Sequence, residues 1–134
     1  MVNLNQIVAV VDDDESVCRA ISRLLRSVGI KAETFSSGEE FLGALSTTAS
    51  CWPACVILDF QMPGINGLEL QRRLAPTLVP VIFTTANDDP TVREKALASG
   101  AAGYLRKPFD DTTLFTAVGI AIGVAPISVE RFTA

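Results

Sequence analysis

The sequence predicts an α/β fold in which five parallel strands are covered by helices. Short apolar runs alternate with helix-period segments along the chain, five times over, with no internal repeat or low-complexity tract. Strands that are each followed by a helix call for right-handed crossovers between parallel neighbours. The run Val56-Ile57-Leu58 has no polar alternation, as expected of a strand buried on both faces. At 134 residues the chain fits one domain, large enough to bury roughly two-thirds of its unfolded surface.

The first strand is the apolar run Ile7 to Val11. Val17, Ala20, Ile21, Leu24, Leu25 and Val28 then recur at helical spacing, predicting a helix over Glu15 to Val28 that Gly29 ends. Ile30 to Phe35 alternates like a strand. The Ser36-Ser37 pair with Glu39 and Glu40 starts a second helix carrying Phe41, Leu42 and Leu45, and Thr47 to Pro53 reads as a loop. The central strand, Ala54 to Leu58, leads through a Pro63-Gly64 turn into a short helix from Gly67 to Ala75, stopped by Pro76. Val79 to Thr84 is the fourth strand. Asn87-Asp88-Asp89-Pro90 caps a fourth helix, Thr91 to Ser99, ended by Gly100; a fifth strand, Ala101 to Leu105, and a last helix, Asp111 to Gly123, follow.

Composition narrows the function classes. A net charge of −4 without a basic run argues against nucleic acid as a direct partner. There is no histidine, so Cys18, Cys51 and Cys55 cannot complete a Cys/His zinc site and read as reduced, partly buried thiols of a cytosolic protein. Residues 1–6 lack the positive start and cleavage site of a signal peptide, and a cytoplasmic location is expected.

The chemistry-bearing residues fall at the carboxyl ends of strands: Asp12-Asp13-Asp14 after the first, Asp59 after the third, Thr84-Thr85 at the fourth and Arg106-Lys107-Pro108 at the fifth. A parallel sheet puts these ends on one edge, so the acids should share a cleft. Asp59 alone could equally terminate its strand or cap the next helix. Two carboxylates about 4 Å apart repel by roughly 4 kcal/mol at an effective dielectric near 20, so a cation must answer the cluster. With oxygen ligands only, Mg²⁺ on a few carboxylates and waters fits better than an all-protein calcium cage.

At these residues the chain resembles the receiver domain of two-component response regulators. The resemblance rests on Asp12-Asp13, on Asp59 within Leu-Asp-Phe-Gln-Met-Pro-Gly, on Thr85-Ala86 and on Lys107-Pro108-Phe109, and runs from about Ile7 to Gly123. It implies a doubly wound α/β fold: a five-stranded parallel sheet in the order 2-1-3-4-5 with five helices, a three-layer α/β/α sandwich. It also implies a receiver domain over 1–123 followed by a tail over 124–134.

By the same resemblance, Asp59 would be the phosphoacceptor, taking a phosphoryl group from a sensor histidine kinase or a histidine phosphotransfer protein in a Mg²⁺-dependent reaction. Asp13 would ligate the metal directly, Asp12 mainly through water, and Asp59 and the backbone carbonyl of Gln61 would complete the protein's share. Lys107 would pair with Asp59 before transfer and with a phosphoryl oxygen after it, with Pro108 following a cis peptide. Thr85 would donate its hydroxyl to the phosphate, and Tyr104 would be the switch aromatic. Asp14 and Glu15 read as acids at a helix N-terminus. The implied protein is a signalling switch and not an enzyme with its own substrate.

Two alternatives remain from the residues: a receiver-like binding module that never turns over phosphate, and an aspartyl phosphatase. Haloacid-dehalogenase-like phosphatases carry a second acid two residues after the nucleophile, where this chain has Gln61, which cannot donate a catalytic proton. Two departures from the usual receiver pattern stand out. The segment from Gly67 to Pro80 is about two residues short, so the third helix should lose part of its last turn, and Asn87 and Gln61 flank the pocket. Ala117 to Ala125 carries no charge and is too short to span a bilayer, which predicts no membrane contact and a homodimer through the last helix, with Ile122 outward.

Overall fold

The computed structural model describes residues 7–47, 53–86 and 89–123. Five parallel strands, β1 (Ile7–Val11), β2 (Lys31–Phe35), β3 (Cys55–Asp59), β4 (Val81–Thr85) and β5 (Gly103–Arg106), form one sheet in the order β2-β1-β3-β4-β5. Between and after them lie α1 (Glu15–Ser27), α2 (Gly38–Thr47), α3 (Gly67–Leu74), α4 (Pro90–Ala98) and α5 (Asp111–Ile122). This is the doubly wound sandwich that the sequence predicts.

Strand alternation sorts the core into two layers. Val8, Val10, Cys55, Ile57 and Ile82 meet Ile21 and Leu25 of α1 and Leu114 and Val118 of α5 on one face. Ala9, Val11, Val56, Leu58, Val81 and Phe83 meet Phe41 of α2, Leu70 and Leu74 of α3 and Val92 and Ala96 of α4 on the other. β3 is buried along its whole length because it sits mid-sheet with a layer on each side, whereas β2, at the edge, is mostly exposed.

Several boundaries move by one or two residues, each for a local reason. β4 starts at Val81 because a 3₁₀ turn over Ala75–Thr77 and Leu78 in the left-handed region (φ 62°) occupy the chain before it. α3 accordingly stops at Leu74 and, at eight residues, is the shortest of the five helices. β3 runs on to Asp59, which pairs with Thr84 in the ladder. β5 opens only at Gly103, after the Ala102 amide bonds the Val81 carbonyl. α4 begins at Pro90, a first-turn position where a missing N–H costs nothing, and Asp89 caps it through the Thr91 amide at 2.7 Å.

On α5 the outward residue is Ile120, 62% exposed, and not Ile122, which packs against the α1 side of the core. Gly123 ends the helix in the left-handed region (φ 75°). Cys18 and Cys55 are free and buried; Cys51, Asn87 and the expected tail over 124–134 lie outside the described residues. No helix among the described residues is long and apolar enough to cross a membrane.

Candidate functional site

The register carries the strand ends to one place. Val11 pairs with Leu58, Asp59 with Thr84 and Thr85 with Arg106, so the ends of β1, β3, β4 and β5 lie level along one edge of the sheet. Asp12, Asp13 and Asp59 each offer a carboxylate oxygen within 4.8 Å of the others. Lys107 reaches them from a position 95 residues away from Asp12. Its ammonium lies 2.7 Å from Asp12 Oδ2 and 3.6 Å from Asp59 Oδ1. The Lys107 amide bonds the Thr85 carbonyl at 2.7 Å, and the Lys107–Pro108 peptide is cis.

Sequence reasoning anticipates Lys107 beside Asp59; the geometry makes Asp12 its closer partner. Asp12 is 2% exposed and both its oxygens are engaged, Oδ2 by the ammonium and Oδ1 by the Asp14 amide at 2.9 Å. Asp13 is exposed. Asp14 caps α1, accepting from the Ser16 amide at 2.9 Å and the Ser16 hydroxyl at 2.6 Å. That hydroxyl bond, with the Ser16 amide, holds its carboxyl below the ordinary 3.8.

The cluster carries electrostatic stress. Burial pushes the Asp59 carboxyl up from 3.8, the neighbouring Asp12 adds to this, and Lys107 and the Gln61 amide pull back, leaving it at about 6. Burial alone would lower the Lys107 ammonium, but its hydrogen bond to Asp12 and the charges of Asp59 and Asp12 outweigh it and raise its pKa. Carboxylate oxygens at up to 4.8 Å repel by roughly 3 kcal/mol or more per pair at an effective dielectric of about 20. One ammonium beside three carboxylates leaves an excess that a hard divalent cation would relieve, and an all-oxygen donor set of this kind fits Mg²⁺.

Thr85 is buried beside the cleft, 1% exposed. Tyr104 is half-buried against the α4 side of the core, and the Arg93 guanidinium sits 5.6 Å from its ring centroid. That contact joins α4 to β5. Arg93 was not singled out by sequence, because nothing in local spacing pairs a helix residue with a ring on the following strand. Cys18, expected as a partly buried thiol, lies under the acid loop. Its Sγ lies 3.4 Å from the Asp12 carbonyl, and burial pushes the thiol up to about 11, so it acts as a small polar filler under the acid loop.

A family model described as the response regulator receiver domain matches residues 8–119. The chain belongs to that family. The receiver domain is 62% identical to the response regulator receiver protein from Burkholderia phymatum, whose crystal structure superposes with a TM-score of 0.83 over 90% of this chain and 97% of the other. It is 36% identical over 127 residues to the response regulator protein TmoT of Ectopseudomonas mendocina, covering 93% of this chain and 56% of that protein. It is 39% identical over 103 residues to the DNA-binding transcriptional regulator NtrC of Klebsiella pneumoniae, covering 75% of this chain and 21% of that protein. The receiver domain thus spans about half the length, or less, of these curated relatives. Their names give the expected exclusion of nucleic acid no support.

Proposed function

We propose that this receiver domain is a phosphorylatable switch in which Asp59 accepts a phosphoryl group from a phosphohistidine of a sensor kinase or phosphotransfer protein. The observation that carries the reading is the meeting of Asp12, Asp13 and Asp59 with Lys107 at the carboxyl edge of the sheet, within a chain of the receiver family. An Asp59 carboxylate oxygen attacks phosphorus as the phosphorus–nitrogen bond to the donor imidazole breaks, giving an acyl phosphate; water later attacks that phosphorus, the bond to the Asp59 oxygen breaks, and inorganic phosphate leaves with the carboxylate restored. Lys107 supplies fixed positive charge to the incoming phosphoryl oxygens, and Thr85 donates its hydroxyl to one of them. Asp12, Asp13, Asp59 and the Gln61 carbonyl would hold Mg²⁺, which when bound supplies charge neutralisation at the phosphoryl oxygens. A cytoplasmic setting and action as a switch without a substrate of its own belong to the same reading. Incubation with a small phosphodonor should add one phosphoryl mass when Mg²⁺ is present and none in chelator; addition that ignores the chelator would overturn it.

Asp12 and Asp13 should not be equivalent. Asp12 has both oxygens engaged, whereas Asp13 is exposed, so Asp13 is assigned the direct metal contact and Asp12 a contact through water. Calorimetric Mg²⁺ titration should show Asp13→Ala weaker than Asp12→Ala; equal losses would remove the distinction. The homodimer expectation narrows to Ile120 on the uncharged second half of α5. Ile120→Glu should move the protein toward monomer in sedimentation at unchanged stability, and a wild type that stays monomeric at high concentration would end that idea.

A further inference from the structure

The start of α2 reaches across to the loop after β3. Its capping exchange uses Ser37 and Glu40: the Glu40 amide donates to Ser37 Oγ at 3.0 Å, and the Glu40 carboxylate accepts from the Ser36 amide at 2.6 Å. Glu39 is left over for another task. Its Oε2 accepts a hydrogen bond from the Ile65 amide at 3.1 Å, 26 positions along the chain.

The surroundings are shaped for this contact. Gly64 adopts φ +77°, and a Cβ there would lie 2.6 Å from Glu39 Oε2. A Cβ on Gly38 would press on Ile65 at 3.3 Å, so α2 and the loop touch along backbone as well as side chain. At the loop's other end the Gly67 amide bonds the Phe60 carbonyl at 3.1 Å, and a Cβ on Gly67 would lie 2.9 Å from the Asp59 carbonyl oxygen. The segment between, 61–66, is therefore pinned at both sides. It carries Gln61, whose backbone amide favours the ionised Asp59 carboxylate.

We propose that Glu39 is a positioning residue for the cation site: by holding the Ile65 amide it fixes the loop that presents the Gln61 carbonyl to the metal. The inference rests on the assignment of Mg²⁺ to the Asp12, Asp13, Asp59 and Gln61 site. Glu39 touches neither metal nor phosphate; it acts through the loop backbone. Its hydrogen bond is charge-assisted but exposed, so its effect on affinity is a few-fold and not absolute.

The test is calorimetric titration of the full chain with Mg²⁺ at fixed pH and ionic strength, on wild type, Glu39→Ala, Glu39→Gln and, as a remote charge control, Glu94→Ala. Glu39→Ala should bind Mg²⁺ about three- to tenfold more weakly, the size of one lost hydrogen bond at the loop. Glu39→Gln keeps an acceptor oxygen and should stay within about twofold of wild type, as should Glu94→Ala. Wild-type affinity in Glu39→Ala would overturn the inference. So would a loss in Glu39→Gln as large as in Glu39→Ala, since charge and not the hydrogen bond would then be responsible. A wild type that takes up no Mg²⁺ would instead overturn the site assignment beneath it.

Discussion

Asp59→Asn is expected to stabilise the metal-free protein at pH 7 by roughly 1–3 kcal/mol. The Asp59 carboxyl titrates near 6 in the folded chain, against an ordinary 3.8, because it is buried and faces Asp12. Between those values the folded chain holds a proton that the unfolded chain has released. Stability from this group is therefore complete below about pH 4 and is lost as pH rises through about 6. Asparagine, uncharged throughout, loses nothing over that window. Urea unfolding in chelator from pH 4 to 7.5 should show the two proteins close at the acid end, diverging as pH rises from about 4 to about 6, and holding a constant gap above that. Mg²⁺ should then narrow the gap by stabilising the wild type more, through binding the folded state. A difference that does not change with pH would mean that the acid cluster does not strain Asp59.

Lys107→Ala should have the next largest effect. The ammonium is 18% exposed and lies 2.7 Å from a carboxylate that is 2% exposed, so its removal leaves Asp12 buried with one oxygen uncompensated. A loss of about 1–3 kcal/mol in metal-free stability is expected, less than for a fully buried pair because water and a proton can reach the site. Phosphoryl uptake should survive, since Asp59 and the metal-binding acids remain. The conformational response should be blunted, because Lys107 links the modified side chain to the backbone of Thr85 and so toward Tyr104 and α4. Amide chemical shifts at Tyr104 and Arg93, with and without the phosphodonor, would show it. A full response in Lys107→Ala would remove Lys107 from the coupling.

What the sequence made legible was the part written in local pattern. The unbroken run before Asp59 identified a strand buried on both faces, and parallel topology alone was enough to bring acids from two strand ends together. Strand order was not derivable from pattern and came with the family resemblance. Boundaries slipped where backbone chemistry overrode hydropathy, as at Leu78, an apolar residue placed in the left-handed region and 87% exposed. The uncharged end of α5, residues 117–122, offers no polar face from which to read its phase, and packing turns Ile120 outward and Ile122 in. The contacts least visible were those between elements: Lys107 with Asp12, Arg93 with Tyr104, and Glu39 with Ile65 depend on the angle at which neighbouring units dock.

The central claim is that Asp59 itself carries the phosphoryl group. Intact-mass measurement of wild type and Asp59→Asn, each incubated with a small phosphodonor and Mg²⁺, tests it most directly. The account predicts one added phosphoryl group on wild type and none on Asp59→Asn. An unmodified wild type, or the same addition on Asp59→Asn, would contradict it.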